Sequence, residues 1–338
     1  MKVPEMTKTN QDRDLAPLAG DGQDGGGGRL GAIRDPLAGV TDTISDDPSL
    51  AELIAFRDGR PDLKLFAREA KRCDDEAARL PYGREQTYEI QMARVGLKIV
   101  ALSCTAMVAI WPVDTVADAD AKRALARETR LHGDDTDYGI APMLSAEGAD
   151  RLRLHRAAFA VGELVVPPGP VAPSMADRGL ATWPLSRLDL VDAVPLAGGD
   201  ASLGSAQIAR WAGFVDAYPT LSDLVDRFAR LIATADRLMV VADTTGDDPR
   251  PLRRAAEGAR ILAYLVAARA AIWPAMRYSA DAEAKLRLVE LVNERASRPD
   301  PLHMQAAIRH VVSQANWIAK GFRLGATLEL DPDWIPIV

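Results

Sequence analysis

The chain has 338 residues, 48% of them hydrophobic but only 5% aromatic, and carries a formal net charge of −7 with a pI near 5.3. That length suffices for two ordinary domains, while the acidic balance argues against a dominant nucleic-acid role. Two cysteines, Cys73 and Cys104, with no CxxC between them exclude a secreted disulfide framework. The apolar content is mostly Ala, Leu and Val, set among many Arg and Glu. These side chains lose little freedom in a helix, and β-branched or aromatic runs are scarce, so an all-α fold is expected.

Residues 1–45 lack sustained periodicity, include four consecutive glycines at 25–28, and read as a flexible tail. The stretch GDGQDG at 20–25 matches GxGxxG formally. No strand precedes it and no helix pattern follows, so the dinucleotide-binding mechanism lacks its context. The first fourteen residues have no apolar core, so no secretory leader is expected. The longest uncharged run, 99–113, falls short of the ~30 Å hydrocarbon layer as a helix. The expectation is a cytoplasmic protein with no membrane contact.

A repeat then emerges. AIWP occurs at 109–112 and again at 271–274, although Trp accounts for only 6 residues. PSLAELI at 48–54 resembles PTLSDLV at 219–225, with Ser49 and Thr220 as N-caps and Glu52 completing a capping box. At a constant offset of 162, Ala93, Gly96, Ala101 and Ala106 match Ala255, Gly258, Ala263 and Ala268, and Lys98 matches Arg260. DADAK at 118–122 matches DAEAK at 281–285 one residue out of step. Ordered anchors of this kind indicate a tandem duplication of a unit of roughly 100–115 residues.

Each copy reads as four helices. In the first, Pro61 interrupts or kinks the opening helix, and Leu63, Phe66, Ala67, Ala70, Cys73 and Ala77 carry the apolar stripe onward. In the second, a stripe from Leu221 to Met239 is followed by a turn at 243–249, where Asp248 can cap and Pro249 can start the next helix. The AIWP helix runs to Trp273, a third helix covers about 280–297, and a fourth runs from 301 to Lys320. Between the copies, a Pro-rich start at 167–173 leads into a partly ordered linker. A lead-in helix capped by Ser205 covers 205–218. The expected organisation is a tail (1–45), helical unit 1 (46–166), a linker (167–203), helical unit 2 (204–322) and a C-terminal extension (323–338). The two units are expected to pack as an intramolecular pseudo-dimer, as a monomer or a weak homo-oligomer.

The candidates for chemistry are thin. AIWP reads as a small-residue helix ended by a bulky plug and a stop, since proline displaces the residue before it from helical geometry. The alternative is an aromatic platform, with Trp111, Trp273 and His310 lining a pocket between the units. Four histidines are present: His132, His155, His303 and His310. The last two are seven apart, about 10 Å along a helix, too far to share one metal ion directly. Glu128 and His132, four apart on one helix face, could hold a metal, though a surface ion pair or no interaction is the simpler reading. The acidic clusters at 73–76, 133–137 and 246–249 do not complete a calcium loop. Arg250, Arg253, Arg254 and Arg260 form a possible basic patch. No GxSxG, HExxH or GxxxxGK[ST] occurs. No catalytic residue, metal or cofactor is therefore assigned. The function expected is a non-enzymatic interaction or regulatory protein that binds a protein partner through an apolar groove. The alternative is a sensor or enzyme with a small-molecule pocket between the units.

Overall fold

The computed structural model describes residues 33–81, 87–112, 115–131, 203–216, 218–275 and 278–295, together with Ile308. All regular elements among them are helices. These are α1 (Pro36–Thr41), α2 (Leu50–Asp58), α3 (Leu63–Arg79), α4 (Tyr88–Ile110), α5 (Val116–Leu131), α6 (Ser205–Asp216), α7 (Leu221–Thr244), α8 (Arg250–Ile272) and α9 (Tyr278–Glu294).

Local chemistry sets most boundaries. Ser49 and Glu52 form the reciprocal capping box that starts α2. The Asp62 carboxylate accepts the Leu65 N–H at 3.1 Å to start α3, and Thr87 does the same for Ile90 at α4. Thr115 and Asp118 exchange bonds at the start of α5. Thr220 sits at the N-cap of α7 but makes no side-chain cap bond. The lead-in helix begins at Ser205, and the Gln207 side chain bonds the Gly204 N–H there. At α8, Asp248 accepts the Arg250 N–H, so helix geometry starts one residue after Pro249.

Both AIWP helices end alike. Trp111 adopts φ −66°, ψ 128° and Trp273 φ −65°, ψ 133°. This is the extended geometry that a following proline imposes. Arginine and lysine then close exposed helix ends. Arg94, 1% exposed, donates to the carbonyls of Ala77, Leu80 and Pro81 at the end of α3. Lys285 donates to the Ala271 carbonyl at the end of α8. Charged donors suit the negative end of a helix.

Helix α3 packs along α4, and α7 packs along α8. α5 lies on α3 and α4, and α9 lies on α7 and α8. α2 packs against α8, whereas α6 packs against α4. Both crossings run over a glycine. A Cβ on Gly96 would lie 2.6 Å from the Trp211 carbonyl oxygen, and one on Gly258 would collide with the Leu53 carbonyl. Each crossing helix also brings a phenylalanine to the tryptophan that ends the other long helix, the one it does not cross. Phe56 meets Trp111 and Phe214 meets Trp273, both with ring centroids 5.3 Å apart. The C-terminal end of α4 therefore lies beside the first half of α8, and the reverse also holds. One buried cluster runs from Leu37 through α4, α6 and α8 to Ile308.

Three expectations change. The flexible tail does not extend through residues 33–45: they form α1 and its flanks, and Leu37 and Val40 are fully buried against α4 and α8. The pairing of 48–54 with 219–225 does not match the packing. Helix α3, not α2, stands to α4 as α7 stands to α8, because Pro61 separates two helices rather than bending one. Within the run 99–113, the helical residues are also only the later part of a longer helix that begins at Tyr88. α4 has 23 residues, about 35 Å at 1.5 Å per residue, and is long and apolar enough to cross a bilayer. Here its surface is almost wholly buried by other helices. The linker, the expected helix at 301–320 and the C-terminal extension lie outside the described residues, Ile308 excepted.

The two glycine crossings separate steric cost from helix propensity. Gly96→Ala and Gly258→Ala should each lower stability in urea melts by about 1–3 kcal/mol, despite the better helix former. Gly213→Ala, in α6 with open space around the added Cβ, should raise it by about 0.5–1 kcal/mol.

Candidate functional site

A buried polar cluster forms where the segment before α2 crosses the end of α8. Asp35 is the N-cap of α1, followed by Pro36 at the first helical position, and its Oδ1 accepts the Leu37 N–H at 3.0 Å. Ser103 of α4 approaches the same oxygen at 3.5 Å. Asp35 Oδ2 accepts from Arg269 Nε at 2.8 Å and from the Trp273 indole Nε1 at 3.1 Å. Arg269 and Trp273 are four apart, so the end of α8 presents both on one side. Arg269 Nη1 continues to Thr41 Oγ1 at 3.3 Å and Asp42 Oδ1 at 2.7 Å.

Arg227 of α7 holds the next stretch. Its Nη2 donates to the Ile44 carbonyl at 2.6 Å, and its Nε lies 3.2 Å from Asp46. Burial pulls this guanidinium below its ordinary value. The Asp46 and Asp42 carboxylates oppose that, and the nearby positive charge of Arg269 adds to it. Four donors converge on Asp35, so its carboxylate is consumed in holding α1, α4 and α8 together. The arrangement is a clamp between chain segments.

The expected site residues fall in different places. Trp111 and Trp273 are each 1% exposed and stacked on phenylalanine. Trp273 enters the Asp35 cluster through its indole N–H, and Trp111 does not. His310 lies outside the described residues, as do His132, His155, His303 and the Glu128 side chain. The arginines of the basic stretch each face a carboxylate. Arg250 pairs with Asp248, Arg253 with Asp243, Arg254 with Asp58 and Arg260 with Asp236. Asp236 is shared with Arg295, which it meets at 2.9 Å. Among the described residues, no group of His, Cys, Asp and Glu could hold a metal ion.

Cys73 and Cys104 are free and buried. Burial pushes the Cys73 thiol up to about 12 and raises Cys104 well above its usual value, which disfavours thiolate chemistry. Lys285, 4% exposed, moves the other way. Burial lowers it to about 8, opposed by Asp281.

Reasoning from sequence missed Asp35, Arg227 and Arg269. The Asp–Pro pair at 35–36 is a helix-start signature, and Arg269 is a lone charge late in an apolar helix. Those were the available signals. Comparison with protein-family models, with curated proteins and with solved structures finds no match for this chain.

Arg269→Ala should lower stability by about 3 kcal/mol in urea melts, because it strands a buried carboxylate. Lys285 gives a pH signature. Its proton is lost near pH 8 when folded and near 10.5 when unfolded. The unfolded chain thus binds more protons in that window, and stability rises with pH there. The thiols, whose folded values are raised, oppose this from about pH 8 upward, as they ionise in the unfolded chain. Between pH 8 and 9 Lys285 itself should contribute up to about 1 kcal/mol, so the stability difference between the native chain and Lys285→Met should shift by that amount in favour of the native chain.

Proposed function

We propose that this chain is a duplicated helical protein whose halves pack as an intramolecular pseudo-dimer, and that it works as a non-enzymatic protein-interaction or regulatory module. The groove between α4 and α8, one long helix from each half, is the partner site in this reading.

Two sequence registers support the duplication. The offset of 162 relates α4 to α8, pairing Gly96 with Gly258 and Trp111 with Trp273. An offset of 158 relates α2 and α3 to α6 and α7. It pairs Leu53 with Trp211, Phe56 with Phe214, Pro61 with Pro219 and Leu63 with Leu221. The residues paired in this way make corresponding contacts: each carbonyl over a glycine, each phenylalanine on a tryptophan. In this scheme the halves exchange their first helices, as swapped dimers do.

One observation carries the interaction reading: a helix already occupies the groove between the halves. α1 packs on both α4 and α8, with its apolar residues inward and its acids on arginine. The buried charged groups around it bind helix ends and chain segments, a structural use of charge. A cytoplasmic location accompanies this reading, since two buried free thiols suit a reducing compartment.

The test uses the tagged full-length chain in its source cells. The expected outcome is a protein recovered in comparable amount that re-forms the complex from purified components at micromolar concentration. A small molecule that raises the melting temperature by several degrees, with no reconstitutable partner, would replace this reading with the sensor or enzyme alternative.

A further inference from the structure

We propose that the segment 33–47 is an intramolecular ligand, and that the groove it fills accepts an acidic amphipathic segment of a partner protein in its place. This rests on the interaction reading above and names the chemistry of the partner.

The segment has the features of a docked peptide. α1 has only six residues, a length at which a helix does not hold itself together in water. Its order comes from contacts with α4 and α8, and Arg227 of α7 holds the stretch that follows it. Leu37 and Val40, three apart and fully buried, are its apolar anchors. Asp35 and Asp42 flank them. Apolar anchors at helical spacing laid into a groove are the helix-in-groove mode of recognition.

The groove selects for acid. The segment's carboxylates face two arginines, Arg269 from α8 and Arg227 from α7. Their charges repel each other, as the downward pull of Arg269 on Arg227 records. With the segment gone, two like charges would face each other beside an apolar surface. Any replacement must bring carboxylates at a spacing like that of Asp35 and Asp42.

The attachment permits release. Residues 45–47 are exposed, and α2 is anchored separately through buried Leu53 and Phe56. α1 can therefore leave without pulling α2 off α8. While tethered, it competes with a partner at high effective concentration. Displacing it converts a closed groove into an open one.

The probe is a fluorescent synthetic peptide of residues 33–47, titrated by anisotropy against full-length chains. Asp42→Ala removes one carboxylate whose side chain is 53% exposed, without opening a cavity. Leu37→Ala/Val40→Ala weakens the apolar anchors. Both raise the open fraction, so apparent peptide affinity should rise over the native chain by about threefold for the first and about tenfold for the second. A peptide carrying Asp35→Asn and Asp42→Asn should lose most of its binding. Flat titrations for both variants, with helical circular dichroism and cooperative melting retained, would overturn the proposal. Equal binding of the Asn peptide would overturn it too. If the double variant loses its helical signal, Asp42→Ala decides alone. A flat titration alongside a reconstituted partner would remove this groove assignment but keep the interaction reading. A small-molecule stabiliser with no partner would overturn both.

Discussion

Two helix crossings set the terms for this fold. At Gly96 and at Gly258 the backbone of another helix lies where a side chain would begin. Backbones come this close only when the residue beneath is glycine. The approach then allows the alanine-rich faces of α4 and α8 to bury almost completely, with Ala106, Ala259, Ala263 and Ala268 all fully enclosed. Small residues fill the middle and large ones fill the ends. Trp111 and Trp273 plug the space beyond the last helical turn, each against the phenylalanine of the crossing helix. The proline after each tryptophan stops the helix where the plug is needed.

A core this extended must still deal with helix ends inside it. Uncapped carbonyls buried away from water are costly, and the chain meets them with cations. Arg94 covers three carbonyls at the end of α3, and Lys285 covers one at the end of α8. Arg227 covers the carbonyl of Ile44. Desolvating these cations works against them, which is why Lys285 is held near 8. Their carbonyl bonds and nearby carboxylates offset that cost. The Asp35–Arg269 pair belongs to the same economy, with a neutral indole N–H adding a third partner.

The helical class was legible in composition, and AIWP, the Gly96–Gly258 offset and the Ser49–Glu52 cap were legible in local pattern. What escaped were features decided by distant contacts. PSLAELI resembled PTLSDLV because both are helix starts with a proline, a hydroxyl and a leucine. Local capping chemistry cannot tell which of two successive helices it begins. The matching start by packing, Pro61-Asp62-Leu63, carries an aspartate rather than a hydroxyl at the cap residue. The Asp35 cluster was hidden because its members are more than 200 residues apart in sequence, and Asp35 sits beside a glycine-rich stretch. The stretch at 250–260 meets carboxylates that no local pattern announces. Its partners, Asp58 and Asp236, come from other helices.

In the proposed duplication the two halves exchange their first helices, and the clamp and the plugged tryptophans then draw on residues from both. The direct measurement is a split of the chain into 1–202 and 203–338, each followed by circular dichroism and sedimentation, alone and mixed. The account predicts that each piece alone lacks a cooperative melt, because α4 lacks α6 and α8 lacks α2. Mixing should restore a one-to-one complex with the helical signal of the intact chain. Two pieces that each melt cooperatively as monomers, and do not associate, would contradict it.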